Sequence, residues 1–480
     1  MDWLKSTGTL HGGPTVAVPG EIRGFWELHK KYGKAPWARL FAPSIKLARE
    51  GFPLGKDLHE VGGGVAWPQD VLTPPAQALT EARDWLYNDA EFVKTYTSNG
   101  AILAAGATLR RPDYAATLEL IAAEGPDALY KGEIGAAIVD AVRARGGRLS
   151  VDDLKNYSVQ WAKPLVGSYR GHRVITPGAP ASGAILLSAL GTLDALPPPK
   201  EGAEAGLHAT VEALRWAYGA RLLLGDPDFV PGLEGVQADL IAPAAGAERA
   251  AKIGEKTEKP ETYLPSTAAA KNDAGTSNIS AVDASGLVAT LTTTIGSFFG
   301  SRILVPGTGV HLNDSLNDFS LEGVQNWTGY PPAEPNYAAG GKRPLSSSTP
   351  YVLETDGVPR LVGGAAGGST IIGANVQVIR NVVDFGHSAL EALAAPRLHD
   401  QVLPDVTALE RPSDRGARVE GFDEATADAL AARGHKIEWW DKSRSTPVAI
   451  RVLNDGTFDA AGDARKFEGG ARGGSVFYAK

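Results

Sequence analysis

The residues best suited to covalent chemistry stand in one short stretch, Asp273-Ala-Gly-Thr-Ser-Asn-Ile-Ser-Ala-Val-Asp283, which leads through Ala-Ser-Gly into the strand-like run Leu287 to Thr294. It reads as a flexible approach, a small residue, a Thr-Ser pair and a tight hairpin. A threonine hydroxyl is a weak nucleophile until a base takes its proton. If the chain is cut between Gly275 and Thr276, the new α-amine, with a reference pKa of about 7.7 to 8, lies one residue-width from Oγ1 and serves as that base. Thr294, on the partner strand of the same hairpin, is placed to orient Oγ1 by hydrogen bonding. A plain strand start is the other reading of Gly-Thr.

Further polar groups offer complementary chemistry. Gly363-Gly-Ala-Ala-Gly-Gly-Ser369 precedes an expected helix over Ile371 to Val383. It is either a tight turn without catalytic meaning or an oxyanion hole built from backbone N–H groups at a helix start. Ser346, Ser347 and Ser348 follow the basic pair Lys342-Arg343, and form either a solvated loop or a set of donors for a carboxylate. Asp314 and Asp318 lie in an Asn/Asp-rich loop that suits an ammonium group, a cation or a cluster of Asx turns. The serines lack the G-x-S-x-G elbow. The histidines are scattered without an H-E-x-x-H, so no metal is expected.

These residues need elements to hold them. Helices are expected over Glu21 to Tyr32, Pro43 to Glu50, Tyr114 to Glu124, Ile134 to Arg143, Ala184 to Leu193, His208 to Leu224 and Asp423 to Arg433, from apolar spacing and from Gly or Pro at their ends. Ser150 with Asp152 and Asp153 reads as an N-cap. Strands are expected around Arg170-Gly171, around Asp356-Gly357, near Ile437 and near Ile450, with further β-like runs at Phe298 to Ser301 and Ile303 to Val305. Residues 225 to 275 read as a mobile linker that delivers the chain to Thr276. The turn-rich, aromatic Leu321 to Lys342 reads as a lid.

The 480 residues are 43% hydrophobic and 21% charged, which suits a folded globular protein. A net charge of -8 supplies no basic face for nucleic acid. No apolar run is long enough for a transmembrane helix. The absence of Cys removes disulfides and thiolate sites. The start, Met1-Asp-Trp-Leu-Lys, shows no signal-peptide pattern.

Set in order, these motifs resemble the γ-glutamyltransferase (γ-glutamyltranspeptidase) family of N-terminal nucleophile (Ntn) hydrolases. The resemblance runs through Val18-Pro-Gly20 with Arg23-Gly-Phe25, Lys31-Tyr-Gly33, Pro43 to Phe52, Ala116-Thr-Leu118, Gly146-Gly147, Asp153-Leu154, Tyr157, Thr276 to Ser280, Asn313 to Ser320, Arg343 to Ser347 and Gly367-Gly368. It implies an α+β fold, a four-layer αββα sandwich. It further implies a zymogen cleaved after Gly275, with residues 1–275 as a large subunit and 276–480 as a small one, the two remaining one intertwined domain.

Thr276 would be the nucleophile, Thr294 its support, and Gly367 with Gly368 the oxyanion donors. Asp318 would bind the substrate α-ammonium, and Ser346 with Ser347 its α-carboxylate. The implied reaction transfers a γ-glutamyl group to water, an amino acid or a peptide, without a cofactor. A periplasmic or secreted location is implied as well.

Three departures stand out. Thr276-Ser277-Asn278 replaces the family's Thr-Thr-His-like trio. Gly296 and Ser315 stand where the family has Asn and Gln. The chain also starts after the family's Arg-Glu-x-x-Pro motif and first strand, an N-terminal truncation relative to the family. These changes touch head-group recognition more than the nucleophile. An acylase of the same fold that takes glutaryl-type or other acyl amides is therefore the alternative reading, and an unprocessed binding scaffold is a third.

Overall fold

The structure is a computed structural model, and it describes residues 11–60, 82–202, 204–265, 276–322, 332–412, 420–441, 444–463 and 465. Gly275, the end of the expected linker, and 323–331 of the expected lid lie outside the described residues. The described residues form two compact units, one comprising 11–60, 82–161 and 293–317, the other 162–292 and 318–465. None of their helices is long and apolar enough to cross a membrane.

The first unit is helical, with α1 (Glu21–Tyr32), α2 (Trp37–Glu50), α3 (Pro112–Glu124) and α4 (Glu133–Ala144). In α4 the i, i+4 spacing of Ile134, Ile138 and Val142 makes one apolar stripe, which joins Ile121, Tyr130 and Leu154 in the core. Ser150 and Asp153 close a full capping box. The helix expected from Pro43 begins earlier, at Trp37, and carries Pro43 inside it. The indole of Trp37 donates to Ile121 O at 3.0 Å and fixes that longer start. The β-like runs at Phe298 to Ser301 and Ile303 to Val305 form no strand beyond an isolated Leu304–His311 bridge. Phe299 and Arg302 have φ of 59° and 58°, where a strand cannot continue.

The second unit holds β1 (Leu165–Tyr169), β2 (His172–Thr176), α5 (Gly183–Asp194), α6 (Glu204–Ala220), α7 (Leu233–Ile241), α8 (Pro243–Ala251), β3 (Thr276–Val282), β4 (Val288–Thr294), β5 (Tyr351–Thr355), β6 (Val358–Ala366), α9 (Thr370–Phe385), β7 (Leu398–His399), β8 (Thr407–Glu410), α10 (Glu424–Ala432), β9 (Ile437–Trp440), β10 (Thr446–Val452) and β11 (Phe458–Gly462), with β4 ending beyond the unit's boundary. The main sheet is antiparallel in the order β11-β10-β6-β5-β2-β1. Arg170-Gly171 and Asp356-Gly357 all have positive φ, as two-residue hairpin turns require. The linker expected over 225 to 275 instead contains α7 and α8. Gly246 of α8 approaches α5 so closely that a methyl there would meet Gly191 O at 2.5 Å.

Successive residues of a strand face opposite ways, and in β6 this parity sets the layers. Leu361 packs in the core with α5, α6 and α9, and Ala365 packs against Ile371 and Ala374 of α9. Gly364 points to the other side, where the β3–β4 hairpin lies across the sheet. A Cβ on Gly364 would stand 2.2 Å from Asn278 Nδ2, and Thr290 Oγ1 donates to Gly363 O at 3.1 Å. The glycine-rich segment is thus mostly strand, and its turn is confined to Gly367-Gly368.

Gly364→Ala should therefore displace the hairpin and cost about 1–3 kcal/mol, read from urea denaturation. Gly235→Ala, inside α7 with nothing within 4 Å of the added carbon, should gain about 0.5–1 kcal/mol.

Candidate functional site

Thr276 is the first residue of β3, half-buried, on the same side of the strand as Asn278 and Ser280. That face carries a hydrogen-bonded polar ladder. Asn278 Nδ2 donates to Thr292 Oγ1 at 3.0 Å, Ser280 Oγ donates to Asn278 Oδ1 at 3.1 Å, and Ser280 Oγ lies 3.0 Å from Thr290 Oγ1. The third position of the Thr-Ser-Asn trio is thereby spent on holding the hairpin together. Asp283 Oδ1 accepts from the N–H of Ser285 and of Leu287 and shapes the turn.

Gly367 and Gly368 end β6 with φ of 128° and 63°. A Cβ on Gly367 would stand 2.3 Å from Arg444 O and 2.6 Å from Ser445 Cα, so both dihedrals and space require glycine there. Thr370 Oγ1 donates to Gly367 O at 2.6 Å, which ties the turn to the first residue of α9. The buried Tyr218 hydroxyl, its pKa raised by burial, donates to Ser369 O.

Ser346 and Ser347 lie in a built loop, and the reading of Ser346 to Ser348 as solvated does not hold. Ser346 N donates to Pro180 O at 2.7 Å, Ser346 O accepts from Ser182 Oγ at 2.6 Å, and Ser346 Oγ lies 2.9 Å from Ser348 Oγ. The Arg221 guanidinium, buried behind this loop, donates to Ser347 Oγ at 3.1 Å and Ser182 Oγ at 3.3 Å. Tyr218 at the end of α6 and Arg221 in the 3-10 turn that follows it are three residues apart, so one helix end supports both the glycine turn and the serine loop. The sequence marks this segment only as a helix; nothing in it signals those two contacts.

A second support was equally hidden. The buried Asn336 donates from Nδ2 to Asp318 O at 2.7 Å and accepts at Oδ1 from Leu345 N at 3.0 Å. It staples the Asp318 backbone to the residue preceding Ser346. Asn336 comes from the segment expected to be a lid, where its type alone points to a turn.

In the first unit, Thr294 Oγ1 accepts from Gly296 N at 2.9 Å, and Ser315 N donates to Asn313 Oδ1 at 3.1 Å. Gly296 has φ of 88°, and a Cβ there would fall 1.7 Å from Asp314 Oδ1, which accepts from Ser297 N at 2.9 Å. Asp314 thus fills the space that a side chain at 296 would use. Asn313 holds the Ala17 backbone with two 3.0 Å bonds.

Comparison with known proteins brings these residues into a family. A family profile described as Gamma-glutamyltranspeptidase matches residues 2–473. The chain is similar to the "Glutathione hydrolase proenzyme" of Arthroderma benhamiae, 37% identical over 96% of this chain and 76% of that protein. It is also similar to the "Glutathione hydrolase proenzyme" of Pseudomonas sp., 34% identical over 85% of this chain and 68% of that protein. Among solved structures, cephalosporin acylase from Bacillus halodurans superposes with a TM-score of 0.79 at 24% identity, over 97% of this chain and 80% of that one. The fold is accordingly that of the Ntn-hydrolase acylases and transpeptidases, with mixed helices and sheets.

Asn336→Ala removes the acceptor of the Leu345 N–H but keeps Asn336 O, which accepts from Ser320 N at 2.9 Å. With roughly 1 kcal/mol per lost bond, amide exchange at Leu345 should speed up about fivefold and that at Ser320 should stay unchanged. Tyr218→Phe, which removes the buried hydrogen bond to Ser369 O, should destabilise the protein by about 0.5–1.5 kcal/mol, measured by urea unfolding.

Proposed function

Because the chain belongs to the γ-glutamyltranspeptidase family, we propose that it cleaves γ-glutamyl amide bonds, glutathione among them, through an ester on Thr276. The observation that carries this reading is the 37% identity to a glutathione hydrolase over 96% of the chain. The chain is an Ntn-type amidohydrolase, and the reaction follows from its residues.

Thr276 Oγ1 attacks the amide carbonyl while its proton passes to the α-amine of Thr276, freed by cleavage after Gly275. The oxyanion is held by the N–H groups of Gly367 and Gly368. Collapse breaks the C–N bond, and the amine leaves with the proton. Water, or the amine of an amino acid or peptide, then attacks the ester carbonyl, gives up a proton to the same α-amine, and restores the Thr276 hydroxyl. No cofactor enters these steps.

Thr294 orients Oγ1 in this reading. Asp318 binds the α-ammonium, Ser346 and Ser347 bind the α-carboxylate, and Ser315 borders the ammonium. The staple at Asn336 supports it, because it joins the segments carrying Asp318 and Ser346. The positive charge of Arg221 behind Ser347 favours a carboxylate there. Residues 1–275 and 276–480 then form a large and a small subunit of one intertwined domain. The helix, sheet and hairpin layers of the second unit are read as part of an αββα sandwich.

Gly296 favours a second reading. With Asp314 in its side-chain space, position 296 offers no polar side chain to a head group, as an acylase for glutaryl-type amides would tolerate.

Purified protein should run on a denaturing gel as two bands, and Thr276→Ala should leave a single band near 50.2 kDa with no turnover. A wild-type chain that stays whole and inert would favour the scaffold. On γ-glutamyl-p-nitroanilide against its glutaryl analogue, kcat/KM should be higher for the γ-glutamyl compound, since only that one carries the α-ammonium. The reverse order would make the enzyme an acylase.

A further inference from the structure

One buried cluster away from these residues holds unused ligand capacity. His208 and Glu212 are one turn apart on α6, and His435 lies in the bend between α10 and β9, 227 residues after His208. Their relative exposures are 3%, 1% and 4%, and one ligand atom from each lies within 4.8 Å of the other two.

The hydrogen bonds fix where the imidazole protons are. His208 Nε2 faces Gly254 O at 3.0 Å, and a carbonyl only accepts, so Nε2 carries a proton. Thr407 Oγ1 gives its one proton to Asp400 Oδ2 at 2.8 Å, where Asp400 is paired with Arg215. His435 Nδ1, at 3.3 Å from that hydroxyl, must therefore donate to it.

Each imidazole thus spends a proton on its outer nitrogen, and the inner nitrogens, His208 Nδ1 and His435 Nε2, turn their lone pairs toward one another at 2.8 Å. Such a pair repels unless a cation lies between its members.

Glu212 completes the set. Its Oε2 accepts from the Tyr263 hydroxyl at 2.6 Å, while Oε1 is buried without a hydrogen-bond partner among the described residues. Burial raises the pKa of this carboxyl, with the hydroxyls of Tyr263 and Thr257 opposing.

We propose that His208 Nδ1, His435 Nε2 and Glu212 Oε1, with a water molecule as the fourth ligand, form a site for a divalent transition-metal ion of the zinc type. Two imidazoles and a carboxylate are a zinc-like donor set, whereas calcium and magnesium prefer all-oxygen sites. Each ligand is also oriented from behind, by Gly254 O, Thr407 Oγ1 and the Tyr263 hydroxyl, as metal-ligating groups are. Zn–N bonds of about 2.0–2.1 Å in tetrahedral geometry need the two nitrogens to part by roughly half an ångström. The positive charge of Arg215 is offset by Asp400 and Asp405. Bound there, the ion would tie α6, which precedes Thr276, to a bend that follows it. The site does not depend on the proposed reaction.

The test uses the full chain without an affinity tag, stripped with a chelator, dialysed against Zn²⁺ or Co²⁺ and analysed by elemental mass spectrometry. One ion per chain is expected, with the visible absorption of four-coordinate Co²⁺ and a melting temperature raised by Zn²⁺ and lowered again by chelator. Glu212→Gln keeps the size of the side chain and an acceptor for Tyr263, so it should fold, and it should bind at least about tenfold more weakly. Tyr263→Phe should weaken binding roughly 10- to 100-fold. Metal well below one equivalent in the wild type, an octahedral Co²⁺ spectrum, or unchanged affinity in Glu212→Gln would overturn the site and leave a proton shared by the two imidazoles in its place.

Discussion

The second unit depends on how closely a strand can approach a sheet. With no side chain on Gly364, β3 lies against β6, and Asn278 sits where a methyl on Gly364 would be. That contact sets the depth of the hairpin, and with it the position of Thr276 at its start. Three residues beyond Gly364 the same strand reaches Gly367, which the backbone of Arg444 and Ser445 again restricts to glycine. One strand therefore uses the smallest side chain twice, once to admit a layer and once to turn.

Around that contact the polar groups are held from behind. The end of α6 reaches two loops, through Tyr218 to Ser369 and through Arg221 to Ser347, while Asn375 of α9 donates to Thr349 O and Oγ1. Asn336 adds the link to Asp318. These are hydrogen bonds from buried side chains to the loops that carry the candidate site. They define a conformation more than they add stability, and the buried Arg215–Asp400 pair belongs to the same category.

Much of this was legible in the sequence where local rules dominate. The stripe of Ile134, Ile138 and Val142, the Ser150 cap, and the Arg170-Gly171 and Asp356-Gly357 turns each follow from a few neighbouring residues. Gly363 to Ala366 misled because glycine usually signals a turn, and only the neighbours packed on the two faces of β6 explain small residues inside a strand. The helix α8 was hidden because its Ala-rich face packs on α5 through small residues and leaves little apolar periodicity, whereas the short α7 carries Leu233, Val236, Leu240 and Ile241 at helical spacing within a stretch otherwise rich in Ala, Pro, Glu and Lys. Thr276, Asp318 and the serines were legible as chemistry, whereas Asn336, Tyr218 and Arg221 act on partners that the sequence does not place beside them.

Four contacts of α6 and of the turn that follows it have a property in common. Tyr218 meets Ser369, Arg221 meets Ser347, Arg215 meets Asp400 and Asp405, and His208 meets His435; these partners all follow Thr276 in the chain, whereas Gly254 and Tyr263, which α6 also meets, precede it. A break before Thr276 would turn the former from intramolecular contacts into contacts between two polypeptides, without moving an atom. Unfolding would then release two molecules in place of one, so the stability of the cut protein, unlike that of its uncut precursor, would depend on concentration.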